Sequence, residues 1–242
     1  MNITDRRVRE TFVELADTLV DDYDVIGLLD LLAHRVVELL DVTACGVVLV
    51  DHHGTLNLVA ASTEEARILE LSELQNDEGP CLDSYRTGAP VSEEDLAADG
   101  DARWPRFAPA ARKAGFTSVH ALPMRLREVV IGAMNLFGTA TGRLDGESLA
   151  LGQAMADVAT IGILHERAVR QYETVAGQLQ SALDSRIFIE QAKGVLAERL
   201  SISVDDAFAV LRTHARSTNS KLRDVAEGVV AGALTDLGRV EG

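Results

Sequence analysis

The chain has 242 residues, 47% of them hydrophobic, and 38 acidic against 23 basic side chains give a formal net charge of −15. That length suits one large or two small domains around a buried core, and the acidic balance weighs against unspecific attraction to nucleic acid or an anionic membrane. No apolar run approaches the roughly 18 residues of a membrane span, MNITDRRVRE has no apolar stretch behind its charges to make a secretory signal, and two cysteines, Cys45 and Cys81, are too few for a disulfide framework or a thiolate zinc site. A cytoplasmic protein without a membrane partner is expected.

Residues 4–20 carry Val8, Phe12, Leu15 and Leu19 at intervals of 4, 3 and 4, the spacing of a coiled-coil seam or of one buried stripe. We assign residues 1–22 to an N-terminal helix contributing a dimer seam. A second helix is predicted over 25–40. Strands follow at 43–49 and 56–61, joined across a turn at Asp51-His52-His53-Gly54. A short helix over 66–75 opens at Thr63 or its neighbours, 76–81 reads as a turn with Cys81 in a loop, and 82–86 as a helical turn. After a short strand at 90–91, Ser92-Glu93-Glu94-Asp95 has capping-box spacing. A helix over 108–114 ends at Gly115, and two apolar strands cover 118–124 and 129–137. The order predicts an α/β (α+β) domain around a largely antiparallel sheet. Trp104 and Phe107 are expected to plug its core, with Tyr85 a further aromatic candidate for lining a cavity.

From Leu144 a helical period runs to Leu200, broken only by the isolated glycines 152, 162, 177 and 194. Within it Val169, Tyr172, Ala176, Leu179 and Leu183 are spaced 3, 4, 3 and 4, which predicts a parallel coiled-coil dimer seam. Gly177 costs that helix about 1 kcal/mol relative to Ala. Gly194 invites a reason as well: close approach of a neighbouring helix, or room for an RNA backbone. Ser201-Ile202-Ser203 ends the long helix. Ser203-Val204-Asp205-Asp206 then reads as a capping box with Asp in place of Glu, starting a helix that buries Ala207, Phe208, Leu211 and Ala215. A last helix, capped by Asn219 or Ser220, has the apolar stripe Leu222, Val225, Ala226, Val229 and Val230.

Across this segment run Ala182-Leu183-x-Ser185-Arg186, Ile189-Glu190-Gln191-Ala192-Lys193-Gly194-Val195-Leu196, Asp206-Ala207-Phe208, Leu211-Arg212, Ala215-Arg216, and Asn219-x-Lys221-Leu222-x-Asp224-Val225-Ala226. Together they resemble an ANTAR domain, at residues 179–236. The resemblance implies an all-α three-helix RNA-binding module of transcription antiterminators. One departure is Ser201, where the family usually carries Gly to end the long helix. Upstream, Glu78-Gly79-Pro80-Cys81, Asp95-Leu96, Arg103-Trp104-Pro105, Gly115-Phe116-x-Ser118, Leu122-Pro123-Met124-Arg125 and Ile131-Gly132-Ala133-Met134-Asn135-Leu136-Phe137 resemble a GAF domain, assigned to residues 23–165, with a coiled-coil linker helix at 166–182. This second resemblance implies a sensory fold that holds a small molecule of unknown identity over the sheet, or one that has lost its ligand and only dimerises.

The implied function is a signal-responsive, homodimeric regulator of transcription antitermination that binds hairpin RNA loops. On the ANTAR-like pattern Lys193, Arg212, Arg216, Lys221 and Arg223 are expected to line one cationic RNA-binding surface, with Arg186 as a further member beside the dimer seam. Arg212 and Arg216, four apart, share a helix face. The segment from Gln178 onward is near neutral, with 9 acidic against 8 basic residues, while the preceding residues hold 29 acidic and 15 basic. The excess acid therefore lies outside the RNA-binding candidate.

Two other readings compete. The last two helices partly fit a DNA-binding helix-turn-helix. Cys81 invites a thiol redox enzyme, but has no resolving cysteine near it in sequence, so no catalytic residue is assigned. His52-His53 lacks a further ligand at metal-like spacing, no phosphate-binding glycine loop or nucleophile elbow appears, and neither metal nor cofactor is expected.

Overall fold

The structure is a computed structural model that describes residues 3–18, 24–142 and 144–234. It divides into two compact units, residues 1–167 and 168–242.

The first unit is built on a five-stranded, wholly antiparallel sheet in the order β2-β1-β5-β4-β3, with β1 at Ala44–Val50, β2 at Leu56–Ala61, β3 at Val91–Glu93, β4 at Ser118–Leu126 and β5 at Val129–Gly138. Central β1 and β5 are buried on both faces, which is why their sequences are apolar runs rather than alternations. One face is covered by α1 (Ile3–Asp17), α2 (Val25–Leu39) and the first part of α7 (Gly146–Leu200). Leu28, Leu29 and Leu32 of α2, Met155 and Ile163 of α7, and Cys45, Val47 and Leu136 of the sheet share that core. Asp24 caps α2 by accepting from the Ile26 N–H at 3.0 Å.

At Phe12 and Leu15 the stripe expected as an N-terminal dimer seam packs within its own chain. Leu15 is fully buried in this core, Phe12 lies against it, and Arg35 of α2 donates to both carboxylate oxygens of Glu14. Leu19 of that stripe lies outside the described residues.

Over the other face lie α3 (Glu64–Asn76), α4 (Pro80–Thr87), a π-helical turn at Leu96–Gly100, a turn of helix α5 (Asp101–Arg103) and α6 (Phe107–Lys113). Thr63 caps α3, as expected, by accepting from the Ala66 N–H at 3.2 Å. The expected cap at Ser92 is displaced: Ser92 belongs to β3, where its hydroxyl meets His120 Nδ1 at 3.0 Å, and it is Asp95 that caps the π turn through the Ala97 N–H. Strand pairing with β4 takes the backbone of Ser92 before a helix can start there. Trp104 and Phe107 do plug this side. They meet edge to face at 5.8 Å between ring centroids, both nearly fully buried, and Trp104 Nε1 donates to Asp83 at 3.1 Å. Tyr85 is half-buried beside Val48 and Cys81.

In the second unit, α7 continues to Leu200 without a break, and α8 (Val204–Ser217) and α9 (Leu222–Val230) follow. Ala192 and Leu196, Ala207, Leu211 and Ala215, and Val225, Ala226 and Val229 form its core. Ser203 is the N-cap of α8 and accepts from the Asp206 N–H at 3.1 Å. Ser201 ends α7 in the left-handed region at φ 53°, with the Ile202 N–H closing onto Ala197 O at 3.1 Å, a glycine-type stop made by a serine. The cap of α9 is Lys221, not Asn219 or Ser220. Asn219 takes the left-handed position after α8 at φ 52°, and the Ser220 N–H bonds back to Ala215 O, so both are used to end one helix rather than to start the next. No helix among the described residues is long and apolar enough to cross a membrane.

Candidate functional site

The expected cationic residues occupy distinct surroundings. Along α8, Phe208, Arg212 and Arg216 succeed one another at i, i+4 and i+8 and so form one ridge. The Arg212 guanidinium stands 5.7 Å from the centroid of the Phe208 ring, and Lys193 Nζ of α7 stands 5.6 Å from the same centroid. The ring thus joins two cations from different helices at cation–π range. Lys193 is also paired with Glu190 one turn earlier, at 2.9 Å. Arg212, Arg216 and Lys221 are exposed. Arg223 is tied back to α7 through Ser181 Oγ at 3.0 Å, and Arg186 is exposed on α7.

Gly194, expected to admit a neighbouring helix, has no such neighbour: a Cβ there would meet nothing within 4 Å, and the same holds at Gly177. Val169, Tyr172, Ala176, Leu179 and Leu183 are all exposed along α7.

A second group of polar side chains, buried together in the first unit, has no motif to mark it in the sequence. On α3 the buried face runs Ala66, Leu69, Glu70 and Glu73, the i, i+3, i+4, i+7 pattern of a helix stripe, and two of its four members are carboxylic acids. That pattern is the sequence signal for them. Both reach Asn135 of β5, whose Nδ2 donates to Glu70 Oε1 at 2.9 Å and to Glu73 Oε2 at 3.0 Å. Glu73 Oε1 accepts from the Leu82 N–H at the start of α4, at 3.0 Å. Asn135 pairs with Gly46 of β1, and the missing side chain at Gly46 is what admits Glu70.

Cys81 completes this group. It sits in the first turn of α4 rather than in a loop as expected, and it is fully buried. Its Sγ and one carboxylate oxygen each of Glu70 and Glu73 lie within 4.8 Å of one another, the one such grouping of His, Cys, Asp and Glu donors among the described residues. Burial pushes the Glu70 and Glu73 carboxyls above the ordinary range, and Glu73 is raised further by the Glu70 charge. Burial, then the two carboxylates, raise the Cys81 thiol well above its usual value; burial also raises Cys45, in the core on the α2 side. A thiol held protonated is a poor nucleophile, so the cluster does not favour thiol catalysis.

The GAF domain family matches residues 23–164, more than half of the chain, and the ANTAR domain family matches residues 177–230. Among solved structures the chain is similar to the GAF domain from Acinetobacter phosphoenolpyruvate-protein phosphotransferase, at 16% identity over 70% of this chain and 97% of that one, with a TM-score of 0.55. It is similar also to the GAF domain from a phosphoenolpyruvate-protein phosphotransferase of Coxiella burnetii, at 15% identity over 70% and 99%, with a TM-score of 0.53. A third is the GAF domain/HD domain protein from Geobacter sulfurreducens, at 18% identity over 60% and 95%, TM-score 0.50. No curated protein sequence matches the chain. The structural likenesses agree with the antiparallel sheet and its covering helices, and establish fold alone. A GAF domain is a sensory domain and an ANTAR domain an RNA-binding antitermination module, so their succession is a regulatory architecture. The chain belongs to the GAF domain family and carries an ANTAR domain behind it.

Proposed function

We propose that the chain is a signal-responsive regulator of transcription antitermination that binds hairpin RNA through α7, α8 and α9, and that it works as a homodimer joined along the middle of α7. The observation that carries the RNA reading is the convergence of Lys193 and Arg212 on Phe208, continued by Arg216 along α8. Cations beside an aromatic ring suit single-stranded loops, whose phosphates take the charge and whose unstacked bases are reachable as those of an A-form major groove are not. Lys221 extends the exposed charge to the start of α9, and Gly194 leaves the surface beside Lys193 open. To meet a phosphate, Lys193 must exchange its pairing with Glu190, an exposed ion pair of small worth. Arg223 and Arg186 are the outer members of the proposed surface.

The dimer reading is supported by exposure. Tyr172 is 81% exposed, Leu179 62% and Leu183 50%, and Val175 and Ile187 widen the apolar stripe. A second copy of the same helix, in parallel, covers such a seam and brings two RNA-binding modules together. The GAF domain supplies the input. Titration of the full chain with a hairpin RNA and with duplex DNA of the same sequence tests the function. Binding to the hairpin alone is expected, and equal affinity for the duplex replaces the RNA reading with a helix-turn-helix one.

A further inference from the structure

We propose that Glu70, Glu73 and Cys81 form a buried site for one divalent transition-metal ion of the zinc class inside the GAF domain. The site stands independently of the RNA reading. Its three donor atoms lie within 4.8 Å of one another, and an ion with bonds of about 2.0–2.3 Å draws its donors to roughly 3.5 Å apart, a contraction that side-chain rotation supplies.

Two observations beyond the composition of the cluster point to a ligand. Asn135 Oδ1 is fully buried and lacks a hydrogen-bond partner, and the Glu70 carboxylate, whose Oε2 is equally buried, has no donor besides Asn135 and the weakly donating Cys81 thiol, where buried polar atoms nearly always have a strong one. The chain also gives up a side chain twice to admit the carboxylates. A Cβ at Gly46 would stand 2.3 Å from Glu70 Oε1, and one at Gly79 would meet the Glu73 side chain at equally forbidding range. Two acids without a counter-charge are costly in a core that apolar residues would fill, and a divalent cation removes that cost.

The existing bonds already orient the donors. Asn135 holds Glu70 Oε1 and Glu73 Oε2, the Leu82 N–H holds Glu73 Oε1, and Cys81 adds its thiol to the bonds of Glu70 and its backbone N–H to those of Glu73, so that the three donors already face one another. One thiolate among carboxylates favours zinc-like ions over magnesium or calcium, which take oxygen alone. Binding releases the protons that the donors otherwise hold. Glu70, Cys81 and Asn135 are fully buried and Glu73 nearly so, an enclosure that suits an ion rather than an organic molecule.

Cobalt tests the site, because a thiolate bound to Co2+ gives a charge-transfer band that nitrogen and oxygen donors do not. The full chain is produced in cobalt-supplemented medium and, separately, refolded in the presence of Co2+, so that enclosure does not bar entry. About one cobalt per chain with the thiolate band is expected. Cys81→Ser should abolish the band, Cys45→Ser should keep it, and Glu70→Gln, Glu73→Gln and their double variant, which keep side-chain shape, should each lower affinity at least ~10-fold. Circular dichroism and a thermal melt establish which variants fold, and the single variants decide if the double one does not. Absence of cobalt from both preparations overturns the proposal. So does cobalt bound without the thiolate band, as the His52-His53 turn would bind it, or undiminished binding in the folded Glu variants.

Discussion

Gly46 of β1 and Glu70 of α3 occupy one place in the fold: the carboxylate lies where a side chain at 46 would stand, with Oε1 2.3 Å from the position of a Cβ. Since Gly46 is also the strand partner of Asn135, the sheet cannot shift at that point without breaking the pairing of β1 with β5. Gly46→Ala is therefore expected to destabilise the protein by about 1–3 kcal/mol, the usual cost of overpacking a close-packed core. Adding Glu70→Ala should return part of that loss, because the two residues compete for the same volume. Urea denaturation of both single variants and the double variant measures the coupling; simple additivity would show that Gly46 is required for some other reason.

Ser201 ends α7 at φ 53°, a conformation that costs a non-glycine residue strain. Ser201→Gly is expected to stabilise the C-terminal helices by about 0.5–1 kcal/mol after glycine's greater unfolded-state entropy is subtracted. Hydrogen-exchange protection of α8 amides reads the gain locally, and unchanged or lower protection would count against it.

Leu179 and Leu183 lie one turn apart on the exposed stripe of α7. Replacing both with Asp places charges on facing helices of the proposed dimer, and sedimentation should then find monomers. The GAF unit should remain folded, since neither side chain packs in its core. A dimeric double variant would move the seam elsewhere.

Salt dependence separates the roles of the RNA-facing residues. Lys193→Ala, Arg216→Ala and Lys221→Ala should each weaken hairpin binding and flatten the slope of log affinity against log salt by about 0.7 if one phosphate contact is lost. Phe208→Ala should instead lose about 1–3 kcal/mol with the slope retained, as removal of a stacked base does. Titration at several salt concentrations makes the comparison. Unchanged affinity in all three folded cation variants would remove the proposed surface.

Local order was legible in the residues themselves. Thr63 and Ser203 carry hydroxyls three residues ahead of the amides they cap, so the starts of α3 and α8 are written in a few adjacent positions. The five strands and the unbroken run of α7 follow equally from short-range period. The ANTAR and GAF resemblances were legible too, because their motifs are strings of neighbours. Where neighbours had two uses, the tertiary structure chose: pairing with β4 took Ser92 out of its expected cap, and the stop of α8 used Asn219 and Ser220. Periodicity likewise marks a stripe without saying what covers it, so Leu15 was spent inside its own chain while Leu179 was left exposed. The buried cluster shows the limit most plainly. Glu70 and Glu73 meet Asn135, which stands 65 and 62 positions away, only because the register of β5 on β1 sets Asn135 beside a glycine under α3. The sequence alone determined which faces are apolar and where the chain turns; which faces meet, and so which polar groups must share one dry space, is a property of packing over distance.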